Sequence, residues 1–147
     1  MSARGPSGTL SVFAPAKINL YLHVTGRRDD GYHLLDSLVA FADIGDRLTL
    51  APANDFSFSA QGPFANAFTA KERDASPNSA NLVVRAVWAL SQAVQRPPQV
   101  RVTLTKNLPL ASGLGGGSAD AAAALWALLE WWSLPQQAVP ELAALMN

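Results

Sequence analysis

The 147-residue chain has no cysteine, which excludes a disulfide framework and any thiolate chemistry. Charge is also scarce. Only 15% of residues are charged, and 11 basic side chains balance 11 acidic ones at zero net charge. That balance removes the electrostatic case for nucleic acid or an anionic membrane as a partner. The opening Met1-Ser-Ala-Arg-Gly-Pro6 holds no apolar signal-peptide core. The longest apolar run, residues 121–132, is shorter than a bilayer span and contains Glu130. These absences lead us to expect a soluble, cytoplasmic protein with neither nucleic acid nor membrane as partner. Apolar residues, by contrast, make up 49% of the chain, which is enough for one globular domain with a real core. The segment Glu141-Leu-Ala-Ala-Leu-Met-Asn147 reads as a helix without a glycine cap or polar tail. We therefore expect residues 1–147 to be a truncated piece of a longer protein, with a frayed natural C-terminus as the competing reading.

The segment richest in chemistry is Leu108-Pro-Leu-Ala-Ser-Gly-Leu-Gly-Gly-Gly-Ser-Ala-Asp120. An alternating, strand-like stretch at residues 99–105 precedes it and an alanine-rich helical run follows it. Glycines without Cβ atoms let several backbone N–H groups approach one anion, and a helix start adds unpaired N–H groups and the positive end of its dipole. The order strand, glycine loop, helix therefore predicts a phosphate cradle. No lysine follows the glycines, so this is not the common nucleoside-triphosphate loop. Ser118 stands where a dinucleotide turn needs its third glycine. A plain turn is the competing reading, since glycines also cap helices.

Around the loop, residues 10–13 and 18–24 read as strands joined through Pro15-Ala16. Alternation puts Ile18, Leu20, Leu22 and Val24 on one face of the second, and Asn19, Tyr21 and His23 on the other. Residues 34–42 read as strand or helix, and 47–50 and 56–59 as short strands. Residues 61–79 read as a surface loop. Residues 81–95 form an amphipathic helix with Leu82, Ala86, Ala89 and Leu90 inward, stopped by Pro97-Pro98. Helices are expected over 118–132 and from Pro135 onward. Strands early and helices late imply an α+β fold with the helices on one sheet face.

Three segments together carry a resemblance: Ala14-Pro-Ala-Lys-Ile-Asn-Leu20, Gly26-Arg-Arg-Asp-Asp-Gly-Tyr-His33 and Pro109-Leu-Ala-Ser-Gly-Leu-Gly-Gly-Gly-Ser-Ala-Asp-Ala-Ala122. In this order they resemble the 4-diphosphocytidyl-2-C-methyl-D-erythritol kinases, a family of the galactokinase–homoserine kinase–mevalonate kinase superfamily. The glycine loop marks only the superfamily, while the other two segments mark the substrate side. The resemblance implies a ribosomal-protein-S5-domain-2-like, nucleotide-binding half of a two-domain small-molecule kinase. It implies transfer of the ATP γ-phosphate, with Mg²⁺, to the 2-hydroxyl of a cytidine diphosphate-linked methylerythritol in non-mevalonate isoprenoid biosynthesis. The family's catalytic aspartate lies in a Gly-Ala-Asp-Val-Pro stretch, and no such stretch occurs in this sequence. The chain alone is accordingly expected to bind but not to turn over.

The resemblance also assigns roles residue by residue. It implies that Lys17 is catalytic, lowering the pKa of the base or stabilising charge on the transferring phosphoryl group; otherwise Lys17 is a solvated strand lysine. It sets Asn19 beside the substrate, Tyr32 on the cytosine ring and His33 on the polar edge of that ring. Pro109, Leu110, Ala111, Ser112, Gly113, Leu114, Gly115, Gly116, Gly117, Ser118 and Ala119 form the ATP loop. Ser118 touches Mg²⁺ or a phosphate oxygen, or serves as the helix N-cap, or both. Asn81 and Lys106 resemble positions near the nucleotide base and ribose, although Lys106 equally suits a solvated strand end. Asp120 reads as a first-turn carboxylate favouring the helix dipole. His23 reads as structural, and Trp88, Trp126, Trp131 and Trp132 as packing. The competing functions are another superfamily kinase of homoserine or mevalonate type, which Gly31-Tyr32-His33 argues against, and a non-catalytic RNA-binding module of the same fold, which zero net charge argues against.

Overall fold

The computed structural model describes residues 8–111, 113–114 and 116–135. Strand β1 (Leu10–Arg27) runs antiparallel to β2 (His33–Pro52), joined by a turn in which Gly31 takes φ +89°. β3 (Ser57–Gln61) follows, then a 3₁₀ turn (Ala65–Ala67), a short helix α1 (Ala70–Arg73) and helix α2 (Leu82–Ala93). Strand β4 (Val100–Thr105) pairs antiparallel with β2 and parallel with β3, giving the order β1-β2-β4-β3. The parallel step needs a crossover, which residues 62–99 supply. Helix α3 (Gly116–Trp131) closes the described fold.

Alternation builds the core. Leu48 and Leu50 on β2 partner Leu104 and Val102 on β4, and all four are buried. Val83, Val87 and Leu90 of α2 pack into the same cluster. Helix α3 contacts β1, β2 and α2, and it is apolar almost all round. Ala121, Ala124 and Ala127 allow a close approach while Leu125, Leu128 and Leu129 fill the space. Its exposed stripe runs through Ala122, Trp126 and Glu130 at four-residue steps. The α+β expectation, with helices on one sheet face, is met.

Several local readings change. Residues 10–27 form one strand, because Pro15-Ala16 is absorbed as a register shift between Pro15 and Lys17. Residues 34–42 are strand, continuous with 47–50. A second register shift, between Asn19 and Tyr21, breaks the expected single apolar face of β1. Ile18 partners Ala40, whereas Leu22 and Val24 partner Ser37 and Leu35, an odd number of steps away on β2. Ile18 and the Leu22/Val24 pair therefore lie on opposite faces, and Tyr21 parts from Asn19. The polar segment 61–79 is structured: Thr69 and Glu72 make a reciprocal capping box on α1. In α2 the inward face is carried by Val83, Val84 and Val87 as well as Ala86 and Leu90, while Leu82 and Ala89 are only half-buried. Trp131 and Trp132 are buried, and Trp88 donates its indole N–H to the Ala75 carbonyl; Trp126, however, is exposed. The helix expected from Pro135 onward lies outside the described residues.

The outer part of the β1–β2 pair projects beyond the helices. Ile18, Leu20, Leu22 and Val24 of β1 and Leu34, Leu35, Leu38 and Phe41 of β2 are all exposed, so this arm is apolar without being core. Side-chain truncation should separate the two regions. Leu48→Ala, in the core, should cost about 2–5 kcal/mol of stability. Leu22→Ala, on the arm, should cost under about 1 kcal/mol. Denaturant melts of the two variants check this, and an equal loss would contradict the arm's exposure.

Candidate active site

A cavity of about 490 Å³ opens between α2, the end of β4 and the start of α3. The sequence puts it there. β4 delivers its buried residues at Val100, Val102 and Leu104, and the next residue in phase is Lys106. The chain then turns at Leu108 and enters the glycine loop. Of the expected ATP-loop residues, Pro109, Leu110, Ala111, Gly113, Gly116, Gly117 and Ser118 line the cavity. Asn81 and Lys106 line it too, so the structure brings together segments far apart in sequence. Ser112 and Gly115 lie outside the described residues. Leu114 and Ala119 do not line the cavity; Ala119 packs against the core.

The helix begins earlier than residue 118. Gly116 is already helical, so Ser118 sits within the first turn and is not its N-cap. The left-handed backbone falls at Ala111 (φ 54°) and Gly113 (φ +74°), not at Gly116 or Gly117. Gly116 is needed for a different reason. A Cβ there would lie 3.0 Å from Lys106 Nζ and 3.5 Å from Asp46 Oδ2. Asn81 is the N-cap of α2: its Oδ1 accepts from the Val83 N–H at 2.9 Å, and its side chain is buried at the cavity wall.

Lys106 is not a solvated strand end. It is 1% exposed, and its ammonium donates to Asp46 Oδ2 and, at 2.9 Å, to Asp120 Oδ2. Asp46 Oδ1 in turn accepts the Asn107 and Leu108 N–H groups at 2.6 and 2.9 Å. Burial pulls the Lys106 pKa down, but hydrogen bonds and charge from the two carboxylates outweigh it, and the net direction is upward. Asp120 is likewise not a first-turn charge, because α3 starts at Gly116 and places it in the second turn. It is buried, its Oδ1 has no partner, and burial pushes its pKa up to about 7 against the pull of Lys106, with repulsion from Asp46 adding to the rise.

The substrate-side residues lie on the projecting pair. Lys17 partners Phe41 and Asn19 partners Val39, consecutive odd positions on β2, so Lys17 and Asn19 share a face as expected. His33 falls on that same face by the unbroken β2 register. Tyr32 is 60% exposed at the turn, its N–H donating to Asp30 Oδ1. None of these four lines the cavity. One bond joins the two regions: the Lys17 N–H donates to the Leu114 carbonyl at 3.0 Å, tying β1 to the glycine loop.

Sequence reasoning missed Asp46, Phe68, Glu72 and Leu82. Asp46 had a legible signal, since it stands two residues before Leu48 and Leu50 in the inward phase. Glu72 had one in the Thr69-x-x-Glu72 capping pattern. Phe68 and Leu82 reach the cavity through the crossover path, which no local pattern marks.

The Asp120 carboxyl makes a testable pH dependence. Its folded pKa, about 7, lies above the ordinary 3.8. The unfolded chain therefore releases this proton first, and the Asp120 contribution to stability, full below pH 3.8, is lost as pH rises towards 7. Asp120→Asn keeps an acceptor for Lys106 without the charge. Its melting temperature relative to the parent protein should climb between pH 5 and pH 8; a pH-independent difference would contradict the assignment.

Residues 81–147 match the family model "GHMP kinases N terminal domain". The chain is 59% identical over 116 residues to a 4-diphosphocytidyl-2-C-methyl-D-erythritol kinase of Roseobacter denitrificans, an alignment covering 78% of this chain and 35% of that protein. It is 54% identical over 132 residues to the Brucella abortus protein of the same name, covering 88% and 41%. Among solved structures, a 4-(cytidine 5'-diphospho)-2C-methyl-D-erythritol kinase is 36% identical with a TM-score of 0.70, covering 94% of this chain and 46% of that one. A homoserine kinase from Cytophaga hutchinsonii, 18% identical with a TM-score of 0.65, shares the fold. The chain thus spans less than half the length of these relatives. By sequence and by fold, it belongs to the GHMP kinases and corresponds to the N-terminal portion of the 4-diphosphocytidyl-2-C-methyl-D-erythritol kinase family.

Proposed function

We propose that this chain is the N-terminal ATP- and substrate-binding domain of a cytoplasmic kinase of isoprenoid biosynthesis. It would transfer the ATP γ-phosphoryl group to the 2-hydroxyl of 4-diphosphocytidyl-2-C-methyl-D-erythritol. In that reaction the bond from the γ-phosphorus to the β–γ bridging oxygen breaks, the substrate oxygen takes the phosphorus, and the hydroxyl proton leaves to a base. The observation that carries the reading is the Lys17 N–H to Leu114 carbonyl bond. It supports a single site in which the lysine strand and the phosphate loop act on one pair of ligands.

The cavity fits a nucleoside triphosphate. Side-chain-free positions at Gly113, Gly116 and Gly117 and the first turn of α3 suit phosphate oxygens. Phe68, Leu82 and Leu110 offer apolar wall for a base, with Asn81 beside them. For Mg²⁺ the protein's contribution is small. The described residues contain no group of three or more carboxylate, imidazole or thiolate ligands able to hold a metal. Ser118 is exposed at the cavity and can give one hydroxyl ligand, which suits an ion carried mainly by phosphate oxygens and water. When bound, that ion would neutralise phosphate charge. Lys17 adds a positive charge for the transferring group. On the substrate side, the exposed ring of Tyr32 is free to stack on cytosine while His33 offers donor and acceptor atoms to its edge.

Two measurements test this. Gly116→Val adds bulk against Lys106 Nζ, and should weaken ATP binding by tenfold or more, about 1.4 kcal/mol; unchanged affinity in a folded variant would count against the loop assignment. Cytidine diphosphate should outcompete uridine diphosphate, and Tyr32→Ala should weaken both by about 1–3 kcal/mol. Equal affinity of the parent protein for the two bases would remove the basis for assigning Tyr32 and His33 to cytosine.

A further inference from the structure

Asp46 has no place in the proposed chemistry. It does not line the cavity, yet it is completely buried and its side chain bonds to Lys106, Asn107 and Leu108, where β4 runs into the cavity loop. Its Oδ1 accepts the N–H groups of Asn107 and Leu108, which fixes the turn at which β4 becomes the glycine loop. The Asn107 side-chain amide donates to the Gly45 carbonyl at 3.0 Å, a second tie from the same point of β2. Asp46 Oδ2 accepts from the Lys106 ammonium, which also donates to Asp120 in the second turn of α3. Above this pair sits Gly116, so close that a Cβ would meet both Lys106 and Asp46. One carboxylate thus reaches both ends of the loop: its beginning through two backbone amides, its end through Lys106.

We propose that Asp46 is a positioning residue for the nucleotide loop, holding residues 106–108 and, through Lys106 and Asp120, the N-terminal part of α3 so that the loop presents its N–H groups to a triphosphate. The proposal rests on the reading that the cavity takes ATP. The physical argument is preorganisation. A glycine-rich loop has many backbone states, and confining it in advance removes that ordering cost from binding. Two charge-assisted backbone hydrogen bonds, the one from Leu108 buried and the one from Asn107 part-buried, and a buried ion pair are strong enough for the task. The role is indirect, since Asp46 touches no ligand.

The test is Asp46→Asn in the 147-residue protein. The amide of this variant can still accept at Oδ1, but its N–H₂ faces the Lys106 ammonium, donor against donor. ATP affinity measured by calorimetry should fall at least tenfold, while cytidine diphosphate affinity stays within twofold. Amide exchange supplies a ligand-free readout: the Lys17 N–H, bonded to Leu114, should exchange about tenfold faster in the variant as the loop loosens. Unchanged ATP affinity together with unchanged Lys17 exchange overturns the proposal. Equal loss of both ligands with a general rise in exchange makes Asp46 a residue of overall stability only, and also overturns it. If the variant does not fold, the parent protein decides: Asn107 and Leu108 amides protected like those of β4 support the clamp, and rapid exchange at both overturns it. If the parent protein fails to bind ATP but Lys17 exchange still responds to Asp46→Asn, the nucleotide reading fails while loop positioning stands.

Discussion

The arrangement of the whole site depends on one buried ammonium. Lys106 lies inside the protein with a carboxylate on either side, Asp46 from the sheet and Asp120 from α3. Burying three ionisable groups is costly, and such clusters contribute little net stability relative to apolar packing. What they impose is geometry. Removing Lys106 would leave two buried carboxylates facing one another without a counter-charge, so the lysine enforces the position of both acids. Here the members come from β2, from the end of β4 and from the start of α3, and these three meet only in this fold. The cluster therefore couples the formation of the sheet to the position of the glycine loop. Asp120 carries the cost, with an oxygen that has no partner and a pKa displaced towards neutrality.

The rest of the fold is arranged to make that coupling rigid. An alanine-rich helix sits deep because its small residues let it approach the sheet and α2. Interiors packed this densely transmit displacement rather than absorb it. A shift of α3 would move Gly116, which has no room to move towards Lys106. The β1–β2 arm is built on the opposite plan. It carries many large apolar side chains, yet these remain exposed, and it meets the loop through the Lys17 backbone. The nucleotide half of the site is thus braced from within, while the substrate half stands on a ribbon whose packing within the described fold is thin.

That contrast explains what could be read from sequence. The glycine loop, the strand before it and the helix after it were legible because glycine, alternation and an apolar run are local signals. The buried role of Lys106 was half-legible: it continues the inward phase of Val100, Val102 and Leu104, as Asp46 precedes that of Leu48 and Leu50. Reading the pair needed the β2–β4 register, and that is tertiary information. The faces of β1 were misread for a physical reason. Period-two counting assumes an unbroken ladder, and the register shifts at Pro15/Lys17 and Asn19/Tyr21 break it. Ser118 was misjudged as a cap because glycine is a poor helix former by propensity, yet Gly116 and Gly117 are both helical here.

The same register bears on the proposed substrate. Lys17 stands opposite Phe41, and His33 lies eight residues along β2 on the same face. At ~3.3 Å per residue the two could be up to about 26 Å apart, an upper bound that the strong twist of a two-stranded ribbon shortens. A separation near that bound exceeds the reach of a compact hydroxy-acid or amino-acid substrate. A sugar alcohol joined through a diphosphate to a nucleoside is elongated, with its reactive hydroxyl at one end and its base at the other. The spacing along the arm therefore favours a substrate read at its far end and phosphorylated at its near end, where the Lys17 amide already meets the phosphate loop.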